Sequence, residues 1–257
     1  MSPLTDKGNM ETFTIAAAQS VSLKGDFLRN LDEHMMFIKT AAQNKADIIV
    51  FPELSLTGCE PELADEMALS ENDKALSPLA KSANELDITI IAGCPVKSTH
   101  AKPYLGAFIF QPGRPVTLYR KRYLHTGEEL YFIPSKDNLV FDCKGKQVGA
   151  AICADIDNPG HPADAKKKGA EVYAAGVCIT PNGIDETFKI MSLHSIRHNM
   201  VTVMANHADN TGGYITAGRS AAWDNSGKLL AKAGAAGRYL IFASEMENGW
   251  IGKTLKI

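Results

Sequence analysis

A chain of 257 residues with 45% apolar and 22% charged side chains has the composition of a globular protein large enough to build a layered α/β core. Its formal net charge of −2 excludes a global field that would draw in nucleic acid or an anionic membrane. No apolar run approaches the length of a membrane span. Residues 1–12 are polar, with Asp6, Lys7 and Glu11, and lack the apolar stretch of a signal peptide. Residues 13–19 form a run of small and apolar side chains and read as a buried strand. Residues 26–46 follow at helical spacing, with Leu28, Leu31, Met35, Ile38 and Ala42 on one stripe. Residues 47–51 read as a second buried strand ending at Pro52, residues 70–87 as a helix and residues 88–93 as a third strand. The alternation predicts helices packed on a sheet whose strands are buried on both faces.

The middle of the chain changes character. Residues 105–111 and 116–121 flank Pro112-Gly113-Arg114-Pro115, a strong turn signal, and read as an antiparallel hairpin. Residues 138–143 and 147–153 read as another, around Lys144-Gly145-Lys146. A short helix is expected over 163–168, a strand over 171–175, a helix over 185–199 and a strand over 201–206. A hairpin follows, from 219–223 to 228–231, and residues 239–244 close the sheet. No linker, repeat or low-complexity tract interrupts this order. The expectation is one domain over residues 1–257, with a mixed two-sheet core and helices outside. The basic run Lys166-Lys167-Lys168 falls at a helix end, where cations are favourable.

Five cysteines, at 59, 94, 143, 153 and 178, show no CxxC spacing. That argues against a disulfide framework or zinc ribbon and for reduced thiols in the cytoplasm. Three polar groups stand where apolar strands end. Glu53 follows Ile48-Ile49-Val50-Phe51-Pro52, Lys121 follows Val116-Thr117-Leu118-Tyr119-Arg120, and Cys153 follows Val148-Gly149-Ala150-Ala151-Ile152. Strand ends in layered α/β folds are where ligand crevices form. A carboxylate, an ammonium and a thiol are the parts needed for acyl transfer through a thioester. The carboxylate takes the thiol proton, the thiolate attacks, and the ammonium stabilises the developing oxyanion. Taken singly, each residue has a plainer reading: a solvated loop glutamate, an exposed lysine, a cysteine packed in the core. Spacing alone does not bring them together.

The surrounding text does. Phe51-Pro52-Glu53-Leu54-Ser55-Leu56-Thr57-Gly58 resembles the first signature of the nitrilase superfamily of carbon–nitrogen hydrolases. Tyr119-Arg120-Lys121-Arg122-Tyr123-Leu124 resembles the second, and Gly149-Ala150-Ala151-Ile152-Cys153-Ala154-Asp155 the third, in the family's order. Gly169-Ala170, Ala205-Asn206 and Gly218-Arg219-Ser220 with Gly227 are similar to its C-terminal half. The resemblance implies a four-layer α-β-β-α sandwich with two mixed sheets. It implies Glu53 as general base, Lys121 as oxyanion stabiliser and Cys153 as nucleophile. It also implies a second glutamate shortly before an aromatic pair; spacing to Tyr131 and Phe132 favours Glu128, with Glu129 as the alternative. The motif departs from many relatives at Ala154, and no arginine follows Asp155-Ile156-Asp157-Asn158-Pro159 closely.

The function implied is hydrolysis of a small amide or carbamoyl compound, with no cofactor required. A nitrilase acting on a small nitrile, or a non-catalytic binding protein on the same fold, are the alternatives. The resemblance also implies a homodimer or larger homo-oligomer, with Trp223 and Trp250 as interface candidates. Neither nucleic acid nor membrane is expected as a partner. Asp155, Asp157, His161 and Asp164 fit no metal-binding spacing and read as turn and cap residues. His194 and His198 share a helix face but lack a third ligand. His125, in the loop between Lys121 and Glu128, reads first as an exposed loop residue and second as pocket lining.

Overall fold

The computed structural model describes residues 12–257, so the reading of the polar N-terminus lies, but for Thr12, outside the described residues. Among the described residues, thirteen strands and five α-helices follow one another. The strands are β1 (Phe13–Gln19), β2 (Ile48–Val50), β3 (Thr89–Val96), β4 (Tyr104–Phe110), β5 (Thr117–Arg120), β6 (Val140–Cys143) and β7 (Lys146–Ile152), then β8 (Val172–Gly176), β9 (Val201–Ala205), β10 (Ala221–Trp223), β11 (Leu229–Lys232), β12 (Tyr239–Met246) and β13 (Gly249–Lys256). The helices are α1 (Phe27–Gln43), α2 (Ala64–Met67), α3 (Ser77–Leu86), α4 (Gly160–Lys167) and α5 (Ile184–His198). One sheet runs β13-β12-β1-β2-β3-β4-β5 and the other β11-β10-β9-β8-β7-β6. Each is parallel at its centre, through β1-β2-β3 and β7-β8-β9, and antiparallel toward its edges.

The side-chain period of two along a strand divides the core. Phe13, Ile15 and Ala17 of β1 point between the sheets, where β1 packs on β9 and β2 on β8. Ala16 and Ala18 point outward, into a second cluster with Phe37, Ile38 and Ala41 of α1 and Leu79 and Ala83 of α3. Ala165 of α4 and Met191 of α5 cover the other sheet. The result is the four-layer α-β-β-α sandwich with two mixed sheets.

Four readings are corrected. The buried face of α1 is Asn30, Leu31, His34, Phe37, Ile38 and Ala41, while Leu28 is 72% exposed. Two polar residues displace it because they bond to the loop after β2, Asn30 Nδ2–H to the Leu56 carbonyl at 3.1 Å and the His34 ring to the Ser55 hydroxyl at 2.9 Å. The helix expected over 70–87 is confined to Ser77–Leu86, after a 3₁₀ turn at Lys74–Leu76 that Asp73 caps. The strand Gly249–Lys256 had no signal, because an edge strand that is mostly exposed carries no apolar run. Trp223, an interface candidate, is instead buried against Phe188, with ring centroids 5.0 Å apart. Trp250 sits edge-on to Phe13 at 6.4 Å. The lysine run does end a helix, with Lys166 and Lys167 in the last turn of α4.

Candidate active site

Glu53 leaves the end of β2 in a segment squeezed between the two sheets. A Cβ at Gly93 of β3 would lie 2.5 Å from the Leu54 nitrogen, and one at Gly176 of β8 2.5 Å from the Phe51 oxygen. Only glycine fits at either position, so the backbone carrying Glu53 is held from both sides. Leu54 adopts φ +49°, a conformation that surrounding contacts must enforce in a branched residue. Part of that enforcement comes from α1. His34 stacks on Phe51 with ring centroids 3.9 Å apart. Its Nδ1–H donates to the Asn30 carbonyl at 2.7 Å, and its Nε2 accepts from the Ser55 hydroxyl at 2.9 Å. Burial pushes His34 down to about 4, so it stays neutral and this tautomer persists. On the far side, His207 Nε2–H and the Cys59 thiol both donate to the Glu53 carbonyl oxygen, at 2.8 and 3.4 Å.

Lys121 follows β5. Its main-chain N–H bonds the Leu105 carbonyl at 2.7 Å and its own carbonyl accepts from Ser135 at 2.9 Å. The side chain is fully buried. Its Nζ donates to Glu53 Oε1 at 2.7 Å and to both carboxylate oxygens of Glu128 at 2.8 Å. Glu128 also accepts from the His125 N–H at 2.9 Å. Glu129 turns away and accepts from the N–H of Gly127 at 2.7 Å. Of the two adjacent glutamates, Glu128 is the one whose side chain meets the lysine.

Cys153 stands at the turn from β7 into a single 3₁₀ turn, Cys153–Asp155, with φ +41°. A sharp strand-to-helix turn of this kind lifts a side chain off the sheet end. Asp155 ties the turn to the lysine strand. One of its oxygens accepts from Ile152 N–H at 2.9 Å and from Tyr119 OH at 2.5 Å; the other accepts from Arg122 and Tyr123 N–H at 3.0 and 2.9 Å. Since Tyr119 donates to Asp155, His161 Nε2–H donates to Tyr119 at 2.8 Å, and its Nδ1 accepts from Tyr173 OH at 2.7 Å. His194 meets the Ile156 carbonyl at 2.7 Å. Asp155, His161 and His194 therefore brace the turn and the strands beneath it.

The electrostatics follow from one ammonium placed between two carboxylates. Burial would lower the proton affinity of Lys121, but Glu53, the Cys153 sulfur and Glu128 outweigh it and hold the lysine charged. Burial raises Glu53 above its ordinary value; Lys121 opposes the rise and Glu128 adds to it. Burial, then the Glu53 charge, push the Cys153 thiol well up, against the pull of Lys121 and the Cys178 N–H. The resting sulfur keeps its proton beside a carboxylate with raised affinity for one.

These groups open on a cavity of about 510 Å³ lined by Glu53, Glu128, Cys153, His125, Cys59 and Cys178, with Leu54, Leu105, Leu130, Tyr131, Ile179 and Tyr214 supplying an apolar wall. The sequence reading missed Cys59, Cys178 and His207. His125 is exposed, as first read, yet its Nε2 lies 3.3 Å from the Cys153 sulfur. Asn206 is the one neighbour with a sequence signal: its side chain bonds main-chain atoms of Ile179 at 2.9 and 3.0 Å and fixes the loop carrying Cys178.

A family model described as carbon–nitrogen hydrolase matches residues 14–244. Among curated proteins, the chain is 26% identical to a 2-oxoglutaramate amidase of Bacillus subtilis over 86% of each chain. It is 31% identical to a glutamine-dependent NAD(+) synthetase of Thermotoga maritima, over 64% of this chain and 29% of that protein. The match spans only 27–38% of the length of the glutamine-dependent NAD(+) synthetases. Among solved structures, an amidase from Nesterenkonia sp. AN1, carrying the acetamide moiety of fluoroacetamide at its active-site cysteine, superposes with TM-score 0.84 at 20% identity, covering 93% of this chain and 92% of that one. A cysteine mutant of that amidase in complex with butyramide gives TM-score 0.84 at 20% identity, over 94% and 93%.

Proposed function

The chain belongs to the carbon–nitrogen hydrolase family, in the nitrilase superfamily, and on that premise we propose that it hydrolyses a small, uncharged amide through a thioester on Cys153. The observation that carries the reading is the Lys121 ammonium held 2.7–2.8 Å from both Glu53 and Glu128, at the cavity that Cys153 lines. Glu53 takes the Cys153 proton as the sulfur attacks the amide carbon. Its raised proton affinity suits it to that task, because a base works best with a pKa near the working pH. Lys121 and the main-chain N–H of Ala154 stabilise the oxyanion. Glu53 then passes its proton to the leaving nitrogen, and the C–N bond breaks to give the thioester. A water that loses its proton to Glu53 attacks the thioester, releasing the acid and restoring the thiol. Glu128 orients Lys121 and helps to place that water.

The substrate follows from the lining. Among the described residues, the charged groups facing the cavity are Glu53 and Glu128, both committed to Lys121. No spare arginine or lysine is there to receive a substrate carboxylate, and the remaining wall is largely apolar. An amide with a short apolar acyl group fits this surface better than glutamine or 2-oxoglutaramate. The amidase relatives support amide chemistry in general. The proposed catalytic unit is a single domain spanning the chain. It works in a reducing compartment such as the cytoplasm, where the five cysteines, all free here, stay reduced. No described helix is long and apolar enough to cross a membrane. Leu193, Ile196 and Leu229, all exposed, support a homodimer, which light scattering at micromolar concentration tests. The deciding experiment for the activity is ammonia release from a panel of neutral amides, carboxylate-bearing amides, carbamoyl amino acids and nitriles, with Cys153→Ala as control. Turnover of nitriles alone, or of nothing in the panel, would overturn the reading.

A further inference from the structure

Cys59, Cys178 and His207 come from three distant parts of the chain, and the mechanism uses none of their side chains. Their ligand atoms all lie within 4.8 Å of one another, and Cys59 Sγ is 3.6 Å from His207 Nε2. His207 is fully buried, yet its Nδ1 has no hydrogen-bond partner. Both thiols also line the cavity beside Cys153. We propose that these three side chains form an inhibitory binding site for a thiophilic divalent cation of the zinc class, on the wall of the catalytic cavity.

Donor type and spacing argue for it together. A tetrahedral zinc ion with Zn–S near 2.3 Å and Zn–N near 2.0–2.1 Å separates a sulfur and a nitrogen ligand by about 3.6 Å. The Cys59–His207 pair already has that spacing, and Cys178 is the half-buried member with room to adjust. Thiolates and imidazole select a soft or borderline cation over magnesium or calcium. Two thiolates also neutralise the divalent charge, so the filled site adds no net charge to a buried place. The proton balance is explicit. Each thiol loses its proton to solvent on forming a metal–sulfur bond. His207 moves its ring proton from Nε2 to the unpartnered Nδ1 and binds through Nε2. The fourth position faces the cavity.

Inhibition follows from what the cation takes away. Cys59 and His207 are the two donors on the Glu53 carbonyl oxygen. Metal binding removes both at once and leaves that buried oxygen unpaired, at a cost of about 1–3 kcal/mol. The segment that presents the general base would shift, and the cation would sit where the acyl group enters. The inhibitory half of the proposal rests on the catalytic reading given above; the binding half does not.

The test starts from the purified, metal-stripped full chain. Zinc and cadmium are titrated by equilibrium dialysis, with metal analysis and the ultraviolet cadmium–thiolate band as readouts. One equivalent is expected in the wild type and in Cys153→Ala. Affinity should fall at least about tenfold in Cys59→Ser, Cys178→Ser and His207→Gln. With an amide substrate, zinc should inhibit reversibly and a chelator should restore the rate. Cys178→Ser, compared with its own zinc-free rate, should need about tenfold more zinc. Absence of binding in the wild type would overturn the site. Loss of binding in Cys153→Ala with retention in Cys178→Ser would also overturn it, because the metal would then be on the nucleophile. Cys178→Ser is the informative variant should His207→Gln fail to fold, since its side chain is the least buried of the three.

Discussion

Two segments border the same cavity and are built in opposite ways. Residues 52–57 are entirely buried. They are pinned by Gly93 and Gly176 from the two sheets, by His34 from α1 and by His207 and Cys59 from the far side. Residues 125–131 are mostly at the surface, with Leu130 67% and Tyr131 40% exposed, yet they deliver Glu128 to Lys121 and His125 to Cys153. The difference suits the tasks proposed for the two segments. A general base must be held to a fraction of an ångström, which needs backbone over-determined by packing and hydrogen bonds. Selecting an acyl group needs only a wall, and walls on exposed loops can vary without disturbing the fold.

Substitutions in and around the two segments separate their roles. The largest effect should come from Cys153→Ala, which removes the proposed nucleophile on which both segments converge. Turnover should fall by at least about ten-thousandfold, with circular dichroism and thermal midpoint near wild type. Activity within about tenfold of wild type would sink the thioester mechanism.

Next come Lys121→Met and Lys121→Arg, each expected to lose at least about a hundredfold in kcat. Lys121→Met also leaves the buried Glu53 carboxylate facing the half-buried Glu128 carboxylate without their shared ammonium. It should therefore lose roughly 3–5 kcal/mol of stability in denaturant titration. Arg120→Lys and Arg122→Lys should stay near wild type, because Arg120 lies over Tyr104 and Arg122 pairs with Asp164, outside the cavity. A near-normal Lys121→Met enzyme would remove the lysine from the chemistry.

A smaller effect is expected from His34→Leu, which keeps an apolar side chain against Phe51 but loses the ring stack and the ring-nitrogen bonds to Ser55 and the Asn30 carbonyl. Stability should drop by about 1–3 kcal/mol and kcat by about tenfold with KM little changed. A change in KM alone would show that the buried segment is not positioning the base.

The pH profile tests the electrostatics. The proposed base must act as a carboxylate, so kcat/KM should fall as pH drops through the raised pKa of Glu53, above the ordinary 4.5. Glu128→Gln removes the like charge that raises Glu53, so the acid limb of its residual activity should move to lower pH. Movement the other way would refute the assignment of that limb to Glu53. Smallest of all, Leu130→Ala on the exposed segment should leave kcat within about threefold on the shortest amide and change KM mainly for longer acyl groups. That is the size expected of a methylene-scale change in an apolar wall.

The sequence by itself located every strand of the parallel centres and the strand ends that carry Glu53, Lys121 and Cys153. Those strands are apolar on both faces, and that is a local property of the residues. The text around the three residues tied them to a family, which spacing could not do. Tertiary structure decided what local pattern cannot carry. It turned α1 so that Asn30 and His34 face inward and Leu28 outward, because hydrogen bonds to the loop after β2 outweigh burial of one leucine. It chose Glu128 over Glu129, because only one of two adjacent side chains reaches Lys121. It added β13, whose only cue is a free edge on β12. It also gathered Cys59, Cys178 and His207 from positions up to 148 residues apart. Periodicity reports which face of an element is buried. It is silent on which element that face will meet, and the walls of this cavity are made of such meetings.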